Sequence, residues 1–237
     1  MPRLMESASA ILASSERRVE AVSRNVSNAS TAGYKKQVAF AQTLDRATES
    51  FPPQVAETRF LTDFSQGRLR HTGKPLDLAI HGPALLQLRA GDDLVYSRGG
   101  AFTLGDGGSV IDAAGRILQQ AGGGDLVLDG QDVEILGDGT VLQAGVPVAA
   151  IGLYDAGQGS GIAAIGGSVF RASPSGLAEA NGSVLRQGQL ESSNVVMSDE
   201  MVAMMAAVRQ SEGGARLAQT YDQLIGQAIT TFSRSGR

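Results

Sequence analysis

The sequence predicts a mainly β centre, an antiparallel sandwich or barrel-like sheet, with long N- and C-terminal α-helices that pair as a coiled coil. Two observations predict this class. Glycine makes up 31 of the 237 residues, about 13% against a usual share of about 7%, and most of it lies in the middle of the chain. At both ends, apolar residues recur at steps of three and four, which is the period of a helix face.

An uninterrupted apolar period predicts the N-terminal helix. No glycine or proline occurs between residues 3 and 32. Asn28 and Gly33 are expected to end the helix, because both residue types tolerate left-handed backbone angles. The apolar seam predicted for this helix comprises Leu4, Ile11, Val19, Val22 and Val26.

The middle of the chain has the pattern of short β-strands. Apolar runs such as Leu85–Leu88 and Val146–Leu153 alternate with Asp-Gly pairs such as Asp138-Gly139. Asp-Gly between apolar runs favours hairpins, since type I′ turns need positive φ. This segment is also acidic, with ten acidic and three basic residues between positions 85 and 170.

A longer seam predicts the C-terminal helix. Steps of four and three starting at Met197 pass through 11 positions, nine of them apolar. Such a heptad-like period is typical of helices that pack against other helices. The C-terminal seam comprises Met197, Met201, Met204, Val208, Ile225, Ile229 and Phe232.

Local sequence signals predict where the C-terminal helix begins and where it is weakest. Ser198, followed by Asp199 and Glu200, is expected to cap its start. Asn194 precedes the helix and offers a second side-chain oxygen for capping. Gly213-Gly214 is expected to weaken the helix, at roughly 1 kcal/mol per glycine relative to alanine.

These patterns divide the chain into three parts. Residues 1–34 and 196–237 are predicted to form a terminal helical core domain, and residues 76–170 a glycine-rich β domain. Residues 35–75 and 171–195 are predicted to form an extended connecting region. Because neither helix can bury its seam alone, we expect the helices to pair and then to pack on neighbouring subunits.

The residues offer no convincing catalytic, cofactor or metal site, so we predict that the protein is not an enzyme and needs no cofactor. The absence of cysteine excludes disulfides, thiolate metal sites and cysteine nucleophiles. The two histidines, His71 and His81, have no third ligand or orienting partner in the sequence pattern. Gly159–Ala164 has the spacing of a dinucleotide fingerprint, with Glu179 beyond it, but no βαβ pattern surrounds it.

The charge and hydropathy of the chain do not favour nucleic acid or a membrane as a partner. The net charge of −4 and the pI near 5.2 do not favour nucleic acid. No run of about 18 apolar residues occurs, so membrane insertion is not expected. The N-terminus also lacks the continuous apolar region of a cleaved signal. The protein is therefore expected to be cytosolic, or to be exported by a route that needs no cleaved signal.

Blocks of sequence, in order along the chain, resemble the flagellar rod and hook proteins of bacteria. Asn25–Lys35 resembles their N-terminal signature, in which Asn-x-x-Asn precedes Thr-x-Gly-Tyr/Phe-Lys. Thr62–Gly82, Tyr96–Phe102 and Gln187–Val195 resemble later blocks. The family-motif positions are Asn25, Asn28, Gly33, Tyr34, Gly67, Asp77, Gly82, Gly188, Leu190, Glu191, Ser193, Asn194 and Val195.

The resemblance implies a structural subunit of the flagellar basal-body rod, similar in length to the proximal rod members. It implies self-assembly through the terminal helices into a torque-transmitting shaft in the periplasm. It also implies export by the flagellar type III apparatus without a cleaved signal peptide, and other rod subunits, including the distal rod protein, as partners. The alternatives are a distal rod or hook-basal-body paralogue and, less favoured, a secreted glycine-rich β protein that binds a ligand.

Replacing both histidines tests the absence of proton or metal chemistry. We expect the double variant His71→Ala/His81→Ala to support motility at the wild-type level, because neither imidazole has a predicted role in charge transfer or metal binding. A swimming assay measures this. Loss of motility in a variant that still folds and is exported would contradict the prediction.

Overall fold

The structure is a computed structural model, and it forms two compact units. The described residues are 2–42, 57–130, 132–156, 162–172, 177–180 and 182–235. Unit 1 comprises Met1–Ser27, Gln37–Leu61 and Val196–Arg237, and unit 2 comprises Asn28–Lys36 and Thr62–Val195.

Unit 1 contains the two helices and a small sheet. The helices are α1 (Pro2–Ser27) and α2 (Met197–Ser235), and strands β1 (Gln37–Gln42) and β2 (Glu57–Thr62) pair with each other. Helix α1 ends at Ser27, and turn residues begin at Asn28. Within the part of the chain that the structure describes, no helix is long and apolar enough to cross a membrane.

Helices α1 and α2 pack against each other in antiparallel directions. Arg18 Nη1 donates to Gln210 Oε1 at 3.2 Å. Gly214 lies so close to α1 that an added Cβ would stand 3.1 Å from Ile11 Cγ2 and 3.2 Å from Leu12 Cγ. The sequence predicts that this glycine weakens α2, but the helix continues through it without a break. Its lack of a side chain allows the two backbones to approach.

The described residues of the predicted α1 seam lie on the buried side of the helix. Val22 is buried, and Ile11, Val19 and Val26 are half-buried. Small buried residues, Ala8 and Ser15, occupy the same stripe. The Leu4 side chain lies outside the described side chains.

The face of α2 that is buried within unit 1 differs from the predicted seam. It follows a period of 3.5 residues and runs through Glu200, Met204, Ala207, Ser211, Gly214, Ala218 and Tyr221, all buried or half-buried. Of the predicted seam, Met197, Met201, Val208 and Ile225 are exposed, and the side chains of Ile229 and Phe232 lie outside the described ones. The most apolar stripe is therefore not the most buried one. Small residues occupy the buried face of α2 because they allow the helix axes to come closer.

Unit 2 is built from short strands. They are β3 (Leu69–His71), β4 (Leu78–His81), β5 (Leu85–Ala90), β6 (Asp93–Ser97), β7 (Phe102–Leu104), β8 (Val110–Asp112), β9 (Ile117–Leu118), β10 (Val133–Ile135), β11 (Thr140–Gln143), β12 (Val146–Ala150), β13 (Leu153–Ala156), β14 (Ala163–Gly166), β15 (Val169–Arg171), β16 (Leu177–Glu179), β17 (Val184–Gln187) and β18 (Gln189–Glu191).

The strands of unit 2 form four antiparallel sheets, three of which share one apolar core. The largest has nine strands, seven of them in the order β14-β15-β6-β5-β9-β8-β7, while β13 pairs with β5 and β16 pairs with β13. The others are β10-β11-β12, β17-β4 and β18-β3. One apolar cluster includes Leu88 of β5, Ile135 of β10 and Leu185 of β17, so three sheets share it. The predicted antiparallel β centre is confirmed, but the described strands form no closed barrel.

Asp-Gly turns connect strands as expected. Gly139, at φ +94°, lies between β10 and β11, and Thr140 N donates to Asp138 Oδ1 at 2.9 Å. An aspartate that bonds the backbone two residues ahead stabilises such a turn without any further role.

One ion pair joins a strand of the large sheet to a loop. Arg89 Nε and Nη2 donate to Asp125 Oδ1 and Oδ2 at 2.8 and 2.6 Å, and Gln119 Nε2 donates to Oδ1 at 2.8 Å. The hydrogen bond from Arg89, with a further one from Gln119, lowers the pKa of Asp125 to about 2.

This pair predicts a pH-dependent contribution to stability. Because the folded-state pKa of Asp125 is depressed, its contribution is complete above its ordinary pKa of 3.8 and is lost as the pH falls through about 2. We expect Asp125→Asn to cost at most about 1 kcal/mol at pH 7, since the pair is partly exposed, and clearly less at pH 2, where the carboxylate is only partly ionised in the folded protein. Urea unfolding at both pH values measures the difference, and an equal cost at pH 2 and pH 7 would refute it.

Candidate functional site

Three charged side chains are completely buried in unit 2, and we call them the ion cluster: Lys35, Arg98 and Glu191. Lys35 Nζ lies 2.7 Å from Glu191 Oε1, and Arg98 Nη2 lies 2.9 Å from Glu191 Oε2. None of the three side chains is more than 2% exposed. Charged residues are rarely buried this far unless they are paired, so the cluster has a specific structural purpose.

Hydrogen bonds from separate segments complete the cluster. Glu191 Oε1 also accepts from Gly67 N at 2.7 Å. Lys35 Nζ donates to Ser65 O at 2.7 Å, and Arg98 Nη1 donates to the carbonyl oxygens of Gly82, at 2.7 Å, and Ala84. The cluster therefore binds together the segment after α1, the segment before α2 and three parts of the chain between them.

The cluster carries two positive charges and one negative charge. Burial lowers the pKa of Lys35 and of Arg98, and the attraction of Glu191 opposes that effect in both. The donors are directed at carbonyl and carboxylate oxygens of the protein itself. This arrangement holds the chain together, and it leaves no exposed acid or base for chemistry on a substrate.

Two family-motif glycines are required by close backbone contacts around the cluster. Gly33 has φ +69°, and a Cβ there would overlap the carbonyl of Arg98. A Cβ at Gly67 would overlap the carbonyl oxygen of Ser192. Gly33 N donates to Glu191 O at 2.8 Å. Any other residue at positions 33 or 67 would push these segments apart.

Asn194 does not cap the C-terminal helix, so that prediction is wrong. Its Oδ1 accepts from Lys36 N at 2.7 Å, and its Nδ2 donates to Asp63 O at 2.8 Å and to Ser65 O at 3.2 Å. The amide thus joins three segments of unit 2 that flank the ion cluster. Ser198 is not the cap either, because α2 begins at Met197, while the predicted acidic first turn is confirmed by Asp199 and Glu200.

Asn25 joins three elements of unit 1. Its Oδ1 accepts from Gln37 N at 2.8 Å, and its Nδ2 donates to Gln37 O at 2.9 Å and to Glu200 Oε2 at 3.0 Å. Both Asn25 and Glu200 are 1% exposed. A buried polar pair between helices favours a single register, because any slip would leave these groups without partners.

The remaining family-motif residues maintain turns and strand contacts. Their roles are backbone or turn bonds at Asn28, Asp77, Gly188, Ser193 and Val195, burial at Tyr34, strand pairing at Leu190, and a φ of +123° at Gly82. For example, Asp77 O accepts from Gly188 N, and Val195 N donates to Ser193 Oγ.

The sequence features that resembled active-site motifs have ordinary structural positions. His71 and His81 are exposed, in β3 and β4. Within the described ranges, no three His, Cys, Asp or Glu residues are placed to hold a metal ion. Ala163 and Ala164 lie in strand β14, where a dinucleotide motif requires a helix. Gly159 to Gly161 lie outside the described residues.

A second candidate site is the exposed apolar surface of α2. We call Met197, Met201, Met205 and Val208 the methionine stripe, since they recur at steps of four, four and three along the helix. Their exposed fractions are 44%, 60%, 56% and 44%. An apolar stripe of this kind is typical of a surface that binds another protein. The sequence identified three of these residues as part of a seam, but it missed Met205.

The sequence also missed the charged partners of Glu191. Lys35 and Arg98 belong to motif blocks, yet lysine and arginine are normally exposed, and periodicity gives no sign of a buried ion pair. A charged residue within two positions of a glycine, as at positions 33–35 and 98–100, is the signal that could have identified them.

Comparisons with known proteins agree on one family. The family described as flagellar basal body rod FlgEFG protein C-terminal matches residues 186–231. The chain is 29% identical to the flagellar basal-body rod protein FlgF of Rhizobium meliloti, over 93% of each chain. It is also 29% identical to FlgF of Caulobacter vibrioides, over 92% of this chain and 93% of the relative, and 26% identical to FlgG of Bacillus subtilis, over 90% and 92%.

The charge count of the ion cluster predicts unequal effects of removing its members. Glu191→Gln leaves two buried cations without a counter-ion, and we expect it to destabilise unit 2 by roughly 3–5 kcal/mol. Lys35→Met leaves the Arg98–Glu191 pair, which is neutral, and should cost clearly less. Urea unfolding followed by near-UV circular dichroism of the tyrosines measures both.

A substitution outside the ion cluster serves as the matched control for Glu191→Gln and Lys35→Met. Glu179→Gln removes a carboxylate from an exposed position in β16 and should change the free energy of unfolding by less than about 0.5 kcal/mol. If Lys35→Met were as destabilising as Glu191→Gln, the charge argument would be wrong and the loss of hydrogen bonds alone would decide stability.

Proposed function

We infer that this chain, which belongs to the flagellar basal-body rod protein family, is a structural subunit of the bacterial flagellar basal-body rod and not an enzyme. The observation that carries the assembly mechanism is the methionine stripe, an apolar face of α2 that remains exposed after α2 has packed on α1. A rod subunit needs such a face, because burial of apolar surface is the main driving force of association.

Among the rod proteins, FlgF is favoured over FlgG. The alignment with FlgF of Rhizobium meliloti covers 225 residues, fewer than the 237 of this chain. The alignments with FlgG of Bacillus subtilis and of Caulobacter vibrioides cover 246 and 253 residues, so they require insertions relative to this chain. This agrees with a proximal rod subunit, since distal rod members carry an extra stretch.

Assembly proceeds, in this proposal, through the terminal helical core, residues 1–34 and 196–237. Its helices pair as a coiled coil, which the 3.5-residue period of the buried α2 face supports. The glycine-rich β domain comprises residues 76–170, and residues 35–75 and 171–195 connect it to the core. The exposed seam residues then bury their surface on neighbouring subunits and form a torque-transmitting shaft.

We also propose how the subunit is exported and where it assembles. The subunit leaves the cell through the flagellar type III export apparatus without a cleaved signal peptide and joins the rod in the periplasm. Its neighbours are other rod subunits, including the distal rod protein, and neither nucleic acid nor membrane insertion is involved. Purification of basal bodies followed by detection of this chain tests the location directly, and its absence from intact basal bodies would refute the proposed function.

Two charge substitutions separate assembly from helix pairing. Met201 is 60% exposed, so Met201→Asp should leave the monomer as stable as the wild type and abolish rod assembly, because an unpaired buried charge costs several kcal/mol. Met204 is half-buried toward α1, so Met204→Asp should also weaken the helix pair. Motility and electron microscopy of basal bodies measure assembly, and helical circular dichroism on heating measures pairing.

The conservative variant Met201→Leu serves as the control, and we expect it to swim normally. Normal swimming of Met201→Asp would show that the methionine stripe is not an assembly surface.

A further inference from the structure

We propose that the methionine stripe of one copy binds the exposed apolar side chains of the β1–β2 sheet in a second copy, and we call Val38, Phe40 and Leu61 the sheet patch. This proposal rests on the proposed function, since it names the contact through which the subunits associate. The sheet patch belongs to unit 1, and its residues are 43%, 53% and 56% exposed.

The two faces of the sheet differ. Asn25 binds the backbone of Gln37, and the Arg24 guanidinium lies 5.2 Å from the centre of the Phe60 ring, so β1 and β2 contact α1. Val38 and Phe40 alternate with half-buried Gln37 and Ala39. Since side chains alternate between the faces of a strand, Val38 and Phe40 share one face, and that face is exposed.

Charge restricts what can cover the methionine stripe. The eight residues from Met201 to Val208 carry no charge, between Glu200 and Arg209. The exposed side of α1 carries Glu16, Arg17 and Glu20, and burying such charges against methionine would cost several kcal/mol. The exposed residues of the sheet patch are uncharged, so they can be buried on the stripe without this cost.

The chemistry of the two surfaces is also complementary. Four of the six methionines of the chain lie between positions 197 and 205. Phe40 is the one aromatic residue among the large apolar side chains that are exposed in the described part of the chain. Thioether sulfur makes favourable contacts with aromatic rings, and flexible methionine side chains adapt to an irregular surface. Aromatic residues also tend to dominate binding energy at interfaces.

Two different patches on one subunit satisfy the geometry of a rod. A contact between unlike patches continues from copy to copy and generates an open helical array when the rotation does not close a ring, whereas a patch that binds itself closes a dimer. The stripe is also continuous with the α1–α2 interface through Met204, which is half-buried beside it. A strand pair seated on the stripe would extend that interface.

Cross-linking tests the contact, because the natural chain contains no cysteine. Phe40→Cys and Met201→Cys are produced together, as two separate full-length chains, in flagellated cells that lack the natural protein. Basal bodies are then isolated and analysed on non-reducing gels. We expect a disulfide-linked dimer that neither variant yields alone, since a disulfide forms only when the two Cα atoms lie within roughly 7 Å.

Val202→Cys is the matched control. Val202 is 62% exposed and adjacent to Met201, but its side chain projects about 100° further round the helix. Together with Phe40→Cys, it should give no dimer. The pair Val38→Cys and Met205→Cys repeats the test in case the first pair perturbs folding.

The outcomes separate this contact from the proposed function. Basal bodies that contain the variants but show no dimer with either pair would overturn the contact and leave the rod function standing. A dimer from Met201→Cys alone would show that the methionine stripe binds the same stripe of another copy. A dimer yield from Val202→Cys with Phe40→Cys that equals the yield from Met201→Cys with Phe40→Cys would show a contact without specificity. Either result also overturns the proposal. Absence of the wild-type chain from basal bodies would instead refute the rod function.

Discussion

The buried carboxylate of Glu191 is the constraint on which much of unit 2 depends. A carboxylate that is completely removed from water must be compensated by cations and N–H groups. Lys35 and Arg98 supply the charges, and Gly67 supplies a backbone donor. Each of these groups can reach Glu191 only if its own segment is correctly folded. Segments far apart in sequence, at positions 35, 67, 98 and 191, are therefore fixed together by the solvation requirement of a single group.

In unit 1, the packing of the helices determines which surface is left over. Helix α2 turns its small residues, Ala207 and Gly214, toward α1 and keeps methionine and valine outside. Close approach favours the small residues on the inner face, and the flexible residues are then available on the outer face. The same packing therefore stabilises the helix pair and leaves the proposed binding surface exposed.

Periodicity and turn chemistry predicted the β centre and the C-terminal helix. The α1 seam and the hairpin at Asp138-Gly139 follow from local rules, because their causes lie within a few residues. The orientation of α2 did not follow, since hydrophobicity alone ranks Met201 above Ala207 as a core residue. The ion cluster did not follow either, because partners more than ninety residues apart leave no local pattern. Asn194 was misread for a related reason: its position before a helix suggested a cap, whereas its bonds go to segments around residues 36 and 63–65.

The 3.5-residue spacing of the buried α2 face has a mechanical consequence. An α-helix has 3.6 residues per turn, so a stripe of this spacing drifts by about 20° per heptad, and two helices that keep to such a stripe wind around each other with a left hand. A left-handed pair responds differently to the two senses of twist, because twisting it in one sense tightens the supercoil and twisting it in the other loosens it. In the proposed rod, subunits that contain such a pair would resist twisting in the two senses with different stiffness.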